Sequence, residues 1–271
     1  MIDFFQNYPF LLNAFLASIL ISFCSGIIGS LVVSSKNVFL TGGVAHGAFG
    51  GVGLALFFGF NTTFGASIAA ILMAILMAYV TLKYKNVLDS YVAALWALGM
   101  AVGVICIDLS KGYGSDLSSY LFGSLIAVSS QDLFLIVFFD CFLLVFICIF
   151  YTEILSVFYD KEFCQLKQIN TPLFLTIMFI LMSLGVVMSM SVAGLILVIS
   201  ILSIPAYIAG FFAPSLKIQM LLSFIFSLIF IWSGFGISYA FDLSIGACVV
   251  VVSVCSLFFI LFIRKLIGVE R

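Results

Sequence analysis

Long runs of apolar residues, separated by short polar stretches, follow one another along the whole chain. A helix needs about 20 apolar residues to cross the hydrocarbon core of a bilayer. Most runs meet that length and contain hardly any charge, so the pattern predicts an all-α protein with about nine membrane spans, between eight and ten. The candidate spans are 9–33, 41–60, 62–82, 88–107, 131–151, 172–190, 193–212, 218–240 and 244–263.

Composition supports a polytopic membrane protein. Of the 271 residues, 65% are hydrophobic and only 8% are charged, which is more apolar surface than a soluble domain of this length can bury. We expect one transmembrane domain over residues 1–271. The first apolar run has no basic segment before it and is long enough to span, so we expect it to remain as a helix.

The positive charges predict an orientation, because cytoplasmic loops are enriched in Lys and Arg. With the N-terminus outside and the C-terminus inside, nine of the ten basic residues face the cytoplasm, and only Lys111 faces out. The net charge of −1 offers no basic field for nucleic acid. The nine inner residues are Lys36, Lys83, Lys85, Lys161, Lys167, Lys217, Arg264, Lys265 and Arg271.

Two segments between spans are longer than tight turns. Residues 108–132 include YLFGSLIAVSSQD, an apolar stretch too short to cross, for which a half-helix or re-entrant piece is one interpretation. The largest inner loop, TEILSVFYDKEFCQLKQINTP, is too small for a folded domain.

Known catalytic and ligand motifs do not occur in the sequence. The seven cysteines have no C-x-x-C spacing, and we interpret them as small core residues. Motifs for ATP hydrolysis or proteolysis are also missing. Any uphill transport must therefore draw its energy from a partner subunit or an ion gradient.

The only histidine of the chain, His46, lies in the glycine-rich run FLTGGVAHGAFGGVGLALFFG. Gly43, Gly47, Gly51 and Ala55 form a ridge of small residues typical of close helix packing. Ten residues beyond Lys36, the imidazole is expected near the middle of the membrane. It is either a packed, hydrogen-bonded side chain or a metal contact on a substrate path.

Asp140, in LFLIVFFDCFLLVF, is the second unusual polar residue. It lies about eight residues beyond the polar pair Gln131–Asp132 and so deep in its span. A carboxyl group there should be paired, protonated or facing water. It is either a metal ligand or a cap on a neighbouring helix, whereas Asp89, Asp108 and Asp242 near span ends are expected to be solvated.

Four stretches carry a family resemblance. The chain resembles the integral membrane permease of the bacterial zinc/manganese/iron-type ABC importers. The motifs occur in that family's order and extend over nearly the whole chain. They are TGGVAHGAFGGVGLAL (41–56), SSYLFGSLIAVSSQDL (118–133), AGLILVISILSIPAYIAGFF (193–212) and AFDLSIGACVVVV (240–252).

The resemblance implies a type II ABC importer-like permease in the bacterial cytoplasmic (inner) membrane. Such a subunit forms a homodimer, docks on a cytoplasmic ABC ATPase, and receives zinc, manganese or iron from an extracytoplasmic metal-binding protein. It holds no permanent cofactor and is not itself an enzyme, since ATP binds the partner subunit.

The resemblance also implies a metal contact at His46. Family members pair this histidine with an aspartate four residues earlier, but this chain has Gly42 there, and Ser124 replaces the aspartate of the YLFGD motif. Three explanations stay open: water-rich coordination at His46, a carboxylate supplied by Asp140, or a different substrate.

The stretch SILSIPAYIAGFFAPSLK resembles the element with which similar permeases contact their ATPase. The coupling residues implied are Pro205, Ala206, Tyr207 and Gly210. Pro205 is expected to bend or end its helix, and an ordinary proline kink is the alternative interpretation.

Two other classes of protein remain as alternatives. An ion-coupled secondary transporter needs a coupling group, for which Asp140 is the only candidate, and no inverted repeat of spans is evident. An intramembrane enzyme needs a multi-residue catalytic or metal site, which a chain with one histidine hardly provides.

Overall fold

The computed structural model describes residues 9–84, 88–110, 123 and 128–268. Nine helices in this part of the chain are long and apolar enough to cross a membrane, which confirms the predicted number of spans. A short helix, α6, lies between the fifth and sixth of them. The helices are α1 (Pro9–Ser34), α2 (Val38–Phe58), α3 (Thr62–Lys83), α4 (Leu88–Leu109), α5 (Ser130–Tyr159), α6 (Lys161–Leu166), α7 (Thr171–Ala193), α8 (Leu195–Phe212), α9 (Leu216–Phe241) and α10 (Ile245–Leu266).

Polar residues at the breaks between apolar runs start several of these helices. Asn61 accepts a hydrogen bond from the backbone N–H of Phe64 at 3.1 Å, which caps α3. Ser129 and Asp132 form a reciprocal capping box at the start of α5. Such caps satisfy backbone donors that the first helical turn leaves unpaired. The same polar residues that interrupt the hydropathy pattern therefore fix the helix boundaries.

The structure corrects two expectations, one about the inner loop and one about the cysteines. Helix α5 continues two turns beyond residue 151, with a non-helical residue at Phe150, and α6 follows it, so most of the predicted inner loop is helical. All seven cysteines are free, but Cys141, Cys148 and Cys255 are exposed on helix surfaces rather than in the core. The predicted re-entrant piece, with Ser124 and Lys111, lies almost wholly outside the described residues.

The core of the bundle lies among α1, α2, α7 and α8, which are the most buried spans, whereas α4 and α10 are the most exposed. A single residue, Gly194, joins α7 to α8 with φ 80° and ψ 162°. Residues with a side chain rarely adopt this backbone conformation. Gly123 approaches the same junction so closely that an added Cβ would overlap the backbone of Ala193.

Helix α8 continues through Pro205 to Phe212, so of the two expected effects, a bend or an end of the helix, the end is wrong. Proline cannot donate a hydrogen bond to the carbonyl four residues earlier, here Ile201. The Ser25 hydroxyl of α1 donates to that carbonyl instead, and Ser227 of α9 donates to Ser25 at 3.1 Å. The Ser25 hydroxyl therefore replaces the missing backbone donor and keeps the helix continuous. The bonds through Ser25 also connect α1, α8 and α9.

Successive spans place their ends alternately at two ends of the bundle. The basic end, as we call it, contains every described Lys and Arg near a helix terminus: Lys36, Lys83, Lys161, Lys167, Lys217, Arg264 and Lys265. Contacts between distant helix ends support this arrangement, since Ser34 of α1 bonds Gln219 of α9 at 3.2 Å. Asp108, at the end of α4, and Asp242, the C-cap of α9, are exposed as expected. The side chain of Asp89 is outside the described part.

Candidate functional site

Glycines on α2 allow the neighbouring helices to approach its backbone closely. A Cβ added at Gly50 would lie 2.8 Å from the backbone oxygen of Gly99 in α4, and one at Gly53 would lie 2.5 Å from that of Gly103. On another side, Gly47 and Gly51 meet α3. Gly47 and Gly51 of the predicted ridge therefore lie on a true packing surface, and together with Gly50 and Gly53 they allow α3 and α4 to approach α2 closely.

His46 is half-buried on α2 and contacts α4 through an aromatic ring. Its ring centroid lies 4.0 Å from that of Trp96, at an interplanar angle of 32°. Its Nδ1 is 2.8 Å from the carbonyl oxygen of Gly42. A carbonyl only accepts hydrogen bonds, so Nδ1 carries the proton and Nε2 carries the lone pair in the neutral ring. The histidine is therefore both a positioned side chain and an available nitrogen ligand.

Gly42, where the resembling family has aspartate, has room for a Cβ atom. A Cβ added there would meet only Trp96, at 4.0 Å, which is an ordinary van der Waals distance. The missing carboxylate is thus not excluded by packing. This differs from Gly50, two turns further along the same helix, where the approach of α4 leaves no such space.

Asp140 lies in α5 in a very different setting. Its side chain is 3% exposed, and neither carboxylate oxygen has a hydrogen-bond partner among the described residues. Cys24 of α1 is close enough to interact with it electrostatically. An unpaired carboxylate in a buried apolar position is costly, so this group must hold a proton or attract a cation.

The two candidate metal residues are on helices with different main neighbours. Helix α5 packs mainly on α1 and α7, while α2 packs mainly on α3 and α4. Among the described residues, no group of three or more His, Cys, Asp or Glu side chains could hold a metal ion. In the described part of the chain, His46 and Asp140 are therefore candidate ligands on helices that pack against different neighbours.

The predicted coupling residues lie in the last two turns of α8, at the basic end. Tyr207 is 44% exposed and Gly210 is exposed on the same side, whereas Pro205 and Ala206 are buried. The exposed pair is available to a partner protein. Pro205 and Ala206 instead pack inside the bundle and hold the end of α8 that carries Tyr207 and Gly210.

Two neighbours of these sites were missed by sequence reasoning. Gln219 is buried and donates to the carbonyl of Ala206 at 3.1 Å, while its Oε1 accepts from Ser34, so it joins the ends of α1, α8 and α9. Its place near the start of the apolar run 218–240 was the available signal. Trp96 had a weaker signal, as one of two tryptophans in the chain.

Comparison with known proteins gives one family and close relatives. The model of the ABC 3 transport family matches residues 7–265. An uncharacterised membrane protein of Synechocystis sp. is 38% identical over 247 residues, covering 91% of this chain and 88% of that protein. The manganese import system permease protein ScaB of Streptococcus parasanguinis is 28% identical over 252 residues. The match covers 93% of this chain and 90% of that protein.

A solved structure has the same arrangement of helices. PsaBC from Streptococcus pneumoniae, determined in complex with Fab, matches with a TM-score of 0.84 and 27% sequence identity. The match covers 96% of this chain and 93% of that one. The nine-span helical architecture is therefore one already observed in an experimental structure.

Proposed function

Because the chain belongs to the ABC 3 transport family, we propose that it is the permease of an ATP-driven importer for a divalent transition-metal ion. Its place as a multi-pass membrane component of a transport system follows from the family and the nine spans. Zinc, manganese and iron are the candidate ions. Manganese is the ion to test first, since the name of the Streptococcus parasanguinis relative specifies manganese import.

The observation that carries this proposal is the geometry of His46. Its Nδ1–H is held by the Gly42 carbonyl at 2.8 Å, which leaves Nε2 as a ligand atom. Neutral imidazole binds manganese, iron and zinc. A single nitrogen holds such an ion weakly, and water supplies the remaining ligands. Weak, incomplete coordination suits an ion that must pass through rather than remain.

Asp140 is the second proposed metal contact, acting apart from His46. Its two unpartnered oxygens are hard ligands of the kind that manganese prefers, and Cys24 lies nearby. The different packing partners of α2 and α5 favour two successive contacts over one shared site.

The proposed orientation puts the basic end in the cytoplasm and the N-terminus outside, in the bacterial inner membrane. Tyr207 and Gly210 then face the cytoplasmic ABC ATPase, and the opposite end faces an extracytoplasmic metal-binding protein. A second copy of the chain completes a homodimer. Trp96, beside His46, is 39% exposed, so this part of α4 is accessible to such a copy.

Reconstitution tests the proposed function. The chain is co-expressed with the ABC ATPase and the metal-binding protein encoded nearest to it, and the purified complex is placed in liposomes. We expect Mn²⁺ uptake that requires ATP hydrolysis and the metal-binding protein. Collapse of the proton gradient should leave the rate unchanged.

Two results would contradict this function. Failure of the folded chain to capture any ATPase would exclude an ABC permease. Uptake that continues without ATP but stops when the proton gradient is removed would instead establish the ion-coupled secondary transporter.

A further inference from the structure

An apolar groove with a cationic end runs between α8 and α10. It has a volume of about 290 Å³ and is lined by Phe211, Phe212, Ile260, Ile263, Arg264 and Ile267. Five of these side chains are hydrocarbon. The sixth, Arg264, places its guanidinium carbon 3.9 Å from the centroid of the Phe211 ring, a distance at which a cation interacts favourably with an aromatic face.

The groove is basic at one end and apolar below it, as a phospholipid is charged at its head group and apolar in its acyl chains. Arg264 and the exposed Lys265 are in the last turn of α10, at the basic end, and Ile260 is one turn deeper along the same helix. A lipid of the cytoplasmic leaflet has its phosphate at the surface and its acyl chains below. Cations above and apolar side chains below match that order.

Charge complementarity selects the kind of lipid. Basic residues beside a cytoplasmic groove between spans attract anionic head groups. A zwitterionic lipid can fill the same apolar space, but it gains little from the two cations. Preference for a negative head group is therefore the specific expectation, beyond the lipid contact that every membrane helix makes.

We propose that the α8–α10 groove is a binding site for one anionic phospholipid of the cytoplasmic leaflet. The lipid phosphate contacts Arg264 and Lys265, and an acyl chain lies against Phe212 and Ile260. The site begins one residue after Gly210 in the proposed coupling segment. Its occupant therefore contacts the helix that reaches the ATPase. The leaflet rests on the orientation given under the proposed function, whereas the binding itself does not.

Native mass spectrometry of the purified full chain tests the proposal without metal or ATPase. The chain in detergent is offered equal amounts of phosphatidylglycerol and phosphatidylcholine. We expect one phosphatidylglycerol to be retained preferentially. The double variant Arg264→Gln/Lys265→Gln should lower its retention about tenfold or more, since each cation near an anionic head group is worth about fivefold in affinity.

Two further variants separate the groove from general effects of charge and folding. Lys83→Gln removes a cation at the basic end that lies 5.3 Å from the Tyr79 ring, outside the groove, and should retain the lipid. Ile260→Trp fills the groove without changing charge and should reduce retention of both lipids. Circular dichroism of each variant checks that the helices are intact.

Two outcomes would overturn the proposal. Equal retention of the two lipids by the unaltered chain would remove the preference. Unchanged phosphatidylglycerol retention by the double variant would remove the role of the cations. Neither of these results depends on whether the chain carries manganese.

Discussion

His46 and Asp140 are both polar side chains within membrane-spanning helices, but their surroundings differ in kind. His46 is half-buried, oriented by the Gly42 carbonyl and in tilted ring contact with Trp96. Asp140 is almost fully buried, and its oxygens have no hydrogen-bond partner in the described structure. One side chain is satisfied and has a spare ligand atom. The other is unsatisfied and must be neutralised.

This difference teaches that depth in the membrane alone does not identify a metal contact. A positioned, partly accessible ligand binds an ion without large rearrangement, whereas a buried carboxylate requires the ion to lose its water. We therefore expect His46 to dominate transport, with a smaller contribution from Asp140. The following variants test that order.

Removing the imidazole should have the largest effect. His46→Ala is expected to reduce Mn²⁺ uptake by the reconstituted complex by about 10- to 100-fold, the loss typical even of residues that only support a metal ligand. Thr41→Ala is the matched control, because Thr41 is buried in the same helix and its hydroxyl donates to the Val38 carbonyl of that helix. Equal uptake by both variants would exclude His46 from the path.

A carboxylate introduced beside His46 should increase the difference in metal binding between the His46 and Asp140 regions. At Gly42→Asp the new Cβ meets only Trp96, at an ordinary contact distance of 4.0 Å, so we expect about tenfold tighter Mn²⁺ binding, measured by calorimetry on the purified chain. Gly50→Asp is the control, since α4 leaves no room there, and its yield of folded protein should fall sharply. Weaker or unchanged binding by folded Gly42→Asp would contradict the geometry.

Neutralising Asp140 should have a smaller effect. Asp140→Asn keeps the shape of the side chain but removes its charge, and uptake should fall about threefold, the effect of one partly screened charge. Thermal stability should not decrease, because the carboxylate has no hydrogen bond to lose. Uptake at the unaltered rate would remove Asp140 from the metal path. A loss as large as that of His46→Ala would reverse the proposed order.

The smallest effect is expected at the coupling end, away from both candidate contacts. Gln219→Ala removes the bonds to Ala206 and Ser34, which should lower the free energy of unfolding by about 1–3 kcal/mol and weaken metal-stimulated ATP hydrolysis about twofold. Melting curves and ATPase assays of the complex measure these changes. Gln165→Ala, exposed on α6, should change neither. Identical melting curves and ATPase rates of the Gln219 and Gln165 variants would show that the bonds of Gln219 have no role.

The sequence predicted the spans well because hydropathy reflects the membrane directly. Each predicted span overlaps its helix closely except at α5, whose extension to Tyr159 includes Thr152, Glu153 and Ser156 and so lost the apolar signal. Small residues at four-residue spacing likewise predicted the packing of α2. These features depend on local composition and helical periodicity, which one sequence contains.

Contacts between distant spans could not be predicted in the same way. Trp96 lies 50 positions after His46, and Ser25 compensates Pro205 from a helix 180 positions earlier. Periodicity indicates which face of a helix is apolar but not which helix covers it. For this reason Pro205 was expected to bend or end α8, and Asp140 could not be placed relative to His46.

Because the chain contains only one histidine, its direct bond to the metal can be measured without ambiguity. The permease is labelled with ¹⁵N-histidine, purified with a histidine-free tag and loaded with Mn²⁺, and pulsed electron paramagnetic resonance is recorded. Our account predicts a ¹⁵N hyperfine coupling to the bound Mn²⁺ that disappears in His46→Ala. Bound Mn²⁺ whose spectrum is identical in labelled and unlabelled protein would contradict it.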